Sequence, residues 1–191
     1  MMQSAVSFGY KSSWLAINDR AAGDVADALR LGQTQSVSWP DGVRIAYAGG
    51  VLVTPAILGW TFAVASAGSV LPDPSSPGFV DWLARLSQRL GLVQYFATYR
   101  VVELHAWARA EHGVVDRLYC YLGESGSVVA DVGARTPAEV ELGIASPAGR
   151  GADRGGPPDE GAVMRLAGLW SVDPSQLDGV NVPGMCSVGY P

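Results

Sequence analysis

Glu103, His105, Trp107 and Arg109 stand two residues apart in the segment VELHAWAR. Side chains two apart on a strand point to the same face. A strand here would therefore gather a carboxylate, an imidazole, an indole and a guanidinium on one side. Tyr95 and Tyr99 share that parity, while Val102, Leu104, Ala106, Ala108 and Ala110 supply a small apolar lining on the other. An imidazole titrating near neutrality suits proton transfer, and a carboxylate beside it would orient it. Glu103 and His105 are thus a candidate general acid/base pair. Tyr99, Glu103, His105, Trp107, Arg109 and Arg117 are the candidate lining of a ligand pocket. Two strand rises of about 3.3 Å separate Glu103 from His105, which is longer than a hydrogen bond. The competing reading is a hydrogen-bonded polar row on a half-exposed sheet, with Arg109 and Arg117 balancing Glu103.

Other chemistry is poorly supported. The two histidines, His105 and His112, have no cysteine or acidic partners at ligand spacing, so no metal is expected. Cys120 and Cys186 make no CxxC pair and read as idle buried thiols of a reducing compartment. The chain holds no GxSxG elbow, and GRGADRGG matches neither phosphate-loop spacing. No cofactor is expected. The six tryptophans are scattered over different elements and read mainly as core, with Trp107 able to floor a pocket.

The elements that must position the row are legible in outline. Residues 92–125 read as two long strands, the first running through the polar row and turning at His112-Gly113. Strands are expected at 10–17, 37–39, 43–47, 51–53, 59–65 and 127–132, with Asp41-Gly42 as a hairpin turn. Helices are expected at 21–31, closed by Gly32, and at 79–90, where Phe79, Leu83, Leu86 and Leu90 form one stripe. Thr136-Pro137-Ala138-Glu139 is a capping box that opens a short helix ending at Gly143. A last helix is expected at 159–169, and Asp173-Pro174 starts a helical turn. The tail VNVPGMCSVGYP shows neither period. The sum is an α+β fold: a mostly antiparallel sheet with a long central hairpin and three to four inserted helices. Residues 1–145 read as the core domain, 146–158 as a flexible Gly/Pro/Arg loop, and 159–191 as a helix and tail on the same domain.

Bulk composition narrows the partners. Only 16% of residues are charged, against about a quarter in an average soluble domain. The net charge of −5 argues against nucleic acid as the main partner. Residues 45–72 carry no charge, but Gly49-Gly50, Thr54-Pro55 and Gly59 cut the run into strand lengths, so no membrane span is expected. The N-terminal MMQSAVSFGYK lacks a basic then apolar leader, which points to the cytoplasm. Asp153, Asp159 and Glu160 lie in an acidic C-terminal third, in or beside the expected loop, and are candidate contacts for a basic partner. Oligomeric state is not legible.

The blocks GYKSSWLAI, GWTFAVA, LSQRLGLVQYFATYRVVELHAWARAEHG, YLGESG and PDEGAVMRLAGLWSVDP resemble a group of small uncharacterised cytoplasmic proteins of GC-rich bacteria. These are similar in style to the immunity proteins of polymorphic-toxin systems. The resemblance implies a compact α+β protein that caps a cognate toxin by direct contact, and it carries over no functional residue. An enzyme or ligand-binding domain built on the polar row, and a structural assembly protein, are the other expectations.

Overall fold

The computed structural model describes residues 2–144 and 156–191. Among them, nine strands form one antiparallel sheet. Its order is β3 (Gly32–Val37), β11 (Cys186–Tyr190), β4 (Val51–Val53), β5 (Trp60–Ser66), β2 (Ser12–Asn18), β6 (Val93–Tyr99), β7 (Leu104–Glu111), β8 (Val114–Leu122) and β9 (Ser127–Val132). A separate ribbon pairs β1 (Met2–Ser4) with β10 (Asn181–Pro183). The expected α+β architecture with a mostly antiparallel sheet is the one observed.

Strand alternation splits the core into two layers. One face of the sheet carries Trp14, Phe62, Val64, Phe96, Trp107 and Tyr119, and is covered by α2 (Trp39–Tyr47), α4 (Pro137–Glu141) and α5 (Glu160–Trp170). The other carries Leu15, Ile17, Tyr95 and a run of alanines, Ala63, Ala65, Ala97, Ala106, Ala108 and Ala110. Such small side chains leave room for α1 (Ala22–Ala28) and α3 (Phe79–Leu90) to settle close to the backbone. Among the described residues, no helix is long and apolar enough to cross a membrane. The uncharged run is divided among the end of α2, β4, β5 and the turns around them.

Several expectations need correction. The first long strand is two strands: Arg100 to Glu103 form a turn closed by the Glu103 N–H donating to the Arg100 carbonyl at 3.3 Å. Glu103 sits there at φ 50, a left-handed conformation that ends strand geometry. Val101 and Val102 are strand-forming residues and the turn holds no Gly, Pro, Asn or Asp, which is why it escaped the sequence reading. The turn expected at His112-Gly113 is present, between β7 and β8.

Residues 39–47 form a helix, where two strands around Asp41-Gly42 were expected. Ser38 is its N-cap, accepting from the Asp41 N–H at 3.3 Å, and Pro40 falls in the first turn. Gly42 is there for space, since a Cβ would lie 2.6 Å from Leu52 Cδ1. The strand expected at 37–39 falls at Gly32–Val37. The tail is not loose: β11 lies inside the sheet between β3 and β4.

Candidate functional site

The hairpin register decides where each member of the polar row goes. In β6 and β7 the partners are Thr98 with His105, Phe96 with Trp107, and Gln94 with Arg109. His105, Trp107 and Arg109 do share a face, as their parity requires. Tyr95 pairs with Ala108 and Tyr99 with Leu104, so both lie on the opposite face. Tyr95 is buried there, its ring 4.8 Å from that of Phe79. Burial raises the Tyr95 phenol well above its ordinary value.

The three residues that remain together serve three different surroundings. Trp107 stacks on Tyr119 at 4.5 Å and donates its indole N–H to Glu139 Oε1 at 2.9 Å. Arg109 pairs with Asp116 and lies 5.8 Å from the centre of the Trp170 ring. Arg117 is buried and does not balance Glu103. Its Nε donates to both Glu139 oxygens, at 2.9 and 3.0 Å, and its Nη1 to Asp131 at 2.6 Å. Glu139 also accepts from the Thr136 N–H at 2.8 Å and the Thr136 hydroxyl at 2.9 Å. Burial alone would raise the Glu139 carboxyl, but the bonds from Arg117, Thr136 and Trp107 outweigh it and hold it below 4.5. Every acceptor site is used, so this network is scaffold. The capping box was legible in sequence, but not that its glutamate would become the counter-ion of a buried arginine.

Of His105, Trp107 and Arg109, only His105 lines the cleft, where Glu103 joins it from the turn. A hollow of about 460 Å³ is lined by Tyr10, Arg100, Glu103, His105, Asp159, Glu160 and Gly161. The Arg100–Glu103 turn forms one wall and the N-terminus of α5 the other. The far end of α5 is anchored, with Gln94 donating to the Trp170 carbonyl at 3.0 Å. Thr98 Oγ1 donates to the Gly9 carbonyl at 2.8 Å, and the Tyr47 hydroxyl to the Tyr10 carbonyl at 2.7 Å, which seats the third wall.

The cleft is acidic. Glu103, Asp159 and Glu160 face a single guanidinium, that of Arg100. Arg100 donates to Glu160 Oε2 from Nε at 3.1 Å and from Nη2 at 2.5 Å. Asp159 caps α5, accepting from the Ala162 N–H at 2.7 Å. Glu160 is only 9% exposed, yet its Oε1 has no hydrogen-bond partner, and neither does His105 Nδ1. Burial lowers the His105 pKa from 6.5, against the opposing pull of Glu160, Asp159 and Glu103, and keeps the imidazole neutral at pH 7. Buried polar atoms without partners are unusual, and two of those in this protein lie in the cleft.

Of the acids expected to meet a partner, Asp159 and Glu160 line this cleft, while Asp153 lies outside the described residues. Most of the expected 146–158 loop lies outside them too. Sequence reading missed Tyr10, which a different part of the chain brings to the cleft, and Arg100, which the unforeseen turn before Glu103 places there. Among the described residues no group of acidic, histidine or cysteine side chains is placed to hold a metal ion. Cys120 and Cys186 are free and buried, their thiols both pushed up to about 12 by burial.

No protein-family model, curated protein or solved structure matches this chain. The functional reading therefore stands on the cleft itself.

Proposed function

We propose that this protein acts by binding: its acidic cleft receives a basic side chain of a protein partner. The partner is a cognate toxin held inactive by direct contact in the cytoplasm, in the manner of an immunity protein. The observation that carries this reading is Glu160, a buried carboxylate with one oxygen engaged by Arg100 and the other unpartnered. The exposed Asp159 and Glu103 would attract an incoming lysine or arginine, which would complete Glu160 once that carboxylate turns towards the cleft mouth. Such inhibition needs no chemistry, only a complementary interface.

The test uses tagged wild type and the Asp159→Asn and Glu160→Gln variants. A captured partner that is toxic when expressed alone should bind each variant at least tenfold more weakly, and the variants should protect cells less. Their melting temperatures should stay near wild type, because the Arg100 side chain is 72% exposed and its ion pair contributes little to folding. Wild-type affinity in both variants would show that the cleft is not the contact surface.

One observation favours a second reading, a ligand-binding or catalytic pocket. His105 is neutral, lacks a partner at Nδ1, and stands beside Glu103 in the cleft. On that reading His105→Ala abolishes an activity at unchanged stability. A lowered melting temperature as its only effect would make His105 scaffold.

A further inference from the structure

A second groove lies across the sheet from the cleft, between the end of α1 and the flank of α3. Ala28, Leu29, Arg30, Trp82, Arg85, Leu86 and Arg89 enclose about 330 Å³. Trp82, Arg85, Leu86 and Arg89 follow the spacing i, i+3, i+4, i+7, so they share one face of α3. Arg85 and Arg89 are like charges one turn apart, an arrangement that weakens a helix. Arg30 adds a third guanidinium from the turn that follows α1, at a left-handed φ of 57 where glycine is favoured.

Among the described residues, no side-chain hydrogen bond or ion pair engages the guanidinium of Arg30, Arg85 or Arg89. Asp24 and Asp27 stand in the adjoining hollow with Arg20 and Arg89, and Asp81 lies one turn before Arg85. None of these acids forms an ion pair with the three arginines. Three unpaired arginines together are conspicuous in a chain of net charge −5.

The groove opens onto apolar ground. Leu29 and Trp82 also line a neighbouring pocket of about 160 Å³, completed by Leu31, Val51, Val70, Leu71, Pro72 and Pro191. Its wall is held in place by the Tyr95 hydroxyl, which donates to the Pro72 carbonyl at 3.2 Å. The arginines thus edge an apolar slot with Trp82 between them.

We infer that this groove binds a small amphipathic anion, with a phosphate or carboxylate on Arg30, Arg85 and Arg89 and a short apolar body over Trp82 and Leu71. Guanidinium groups suit oxyanions because their N–H fork matches the oxygen geometry. The apolar pocket beside them selects for a tail, which a bare anion lacks. The inference is independent of the cleft, since no residue is shared.

Octyl phosphate, inorganic phosphate and 1-octanol are the probes, each titrated below its aggregation limit at constant ionic strength. Binding is followed by the Trp82 indole N–H signal in NMR, assigned with Trp82→Phe. Octyl phosphate should shift that signal and bind at least tenfold more tightly than either of the others. Arg85→Gln/Arg89→Gln should weaken octyl phosphate by about tenfold or more and leave octanol unchanged, since it removes two charge-assisted donors and no apolar wall. Both arginines are exposed, so the double variant should fold. An unmoved Trp82 signal, or octyl phosphate binding that the double variant leaves intact, would overturn the inference. Phosphatidylglycerol vesicles separate a soluble anion from a lipid surface. Arginine-dependent co-sedimentation with them would overturn the small-ligand assignment.

Discussion

Replacing Glu139 with alanine removes the acceptor at the centre of the buried network. Arg117, 1% exposed, loses its contacts to Glu139 and keeps Asp131 at 2.6 Å. The Trp107 indole and the Thr136 N–H lose their acceptor as well. Removing one partner of a buried ion pair costs about 3–5 kcal/mol, because the remaining charge stays desolvated. The surviving contact to Asp131 places Glu139→Ala in the lower part of that range, at about 3–4 kcal/mol. In a domain of this size each kcal/mol moves the melting temperature by about 2–4 °C, so a fall of about 6–16 °C is expected. Urea melts at pH 7 read the free energy directly, and calorimetry reads the temperature. The double variant Arg117→Met/Glu139→Leu should recover more than half of the loss, since no buried charge is left unpaired and the carboxylate of Asp131, 32% exposed, can turn to water. The carboxyl is held below its ordinary 4.5, so its contribution is full above that pH and is lost as pH falls through the folded-state value. Glu139→Ala should therefore flatten the acid limb of the stability curve. A cost under about 1 kcal/mol would refute the assignment of this network as a principal support of the fold.

Deleting residues 185–191 should prevent folding, because it removes β11 from between β3 and β4 and exposes two unpaired strand edges. A dispersed, wild-type-like NMR spectrum from the truncated chain would contradict the strand order. His105 has a folded-state pKa below 6.5, so the unfolded chain binds more protons and stability should fall as the pH drops from about 7 to 5. His105→Asn should remove part of that slope in urea melts between those pH values. An unchanged slope would mean that the imidazole is not held neutral by burial.

Some of this protein was written in local pattern. The stripe Phe79, Leu83, Leu86, Leu90 specified α3, the capping box specified α4, and the parity of His105, Trp107 and Arg109 specified a shared face. These features depend on residues a few positions apart, where backbone geometry alone fixes what lies beside what. The Arg100–Glu103 turn left no such mark, because Val101 and Val102 favour strand and no Gly, Pro, Asn or Asp announces a turn. Ser38-Trp39-Pro40-Asp41-Gly42 carries both hairpin and helix-start chemistry, and burial of Trp39 against the sheet decided for the helix. The tail is too short and glycine-rich to declare itself a strand, and becomes one only because β3 and β4 leave their edges open to it.

The sequence by itself therefore determined the α+β class, most of the helices and the chemistry available on one strand face. Only the tertiary structure decided how that chemistry is shared out. Arg117 found Glu139 across 22 residues and Arg100 found Glu160 across 60. Pairings at that range depend on how helices dock on the sheet, which no local period records. Docking took Trp107, Arg109 and Arg117 for structure and left His105, Glu103, Asp159 and Glu160 around one open cleft.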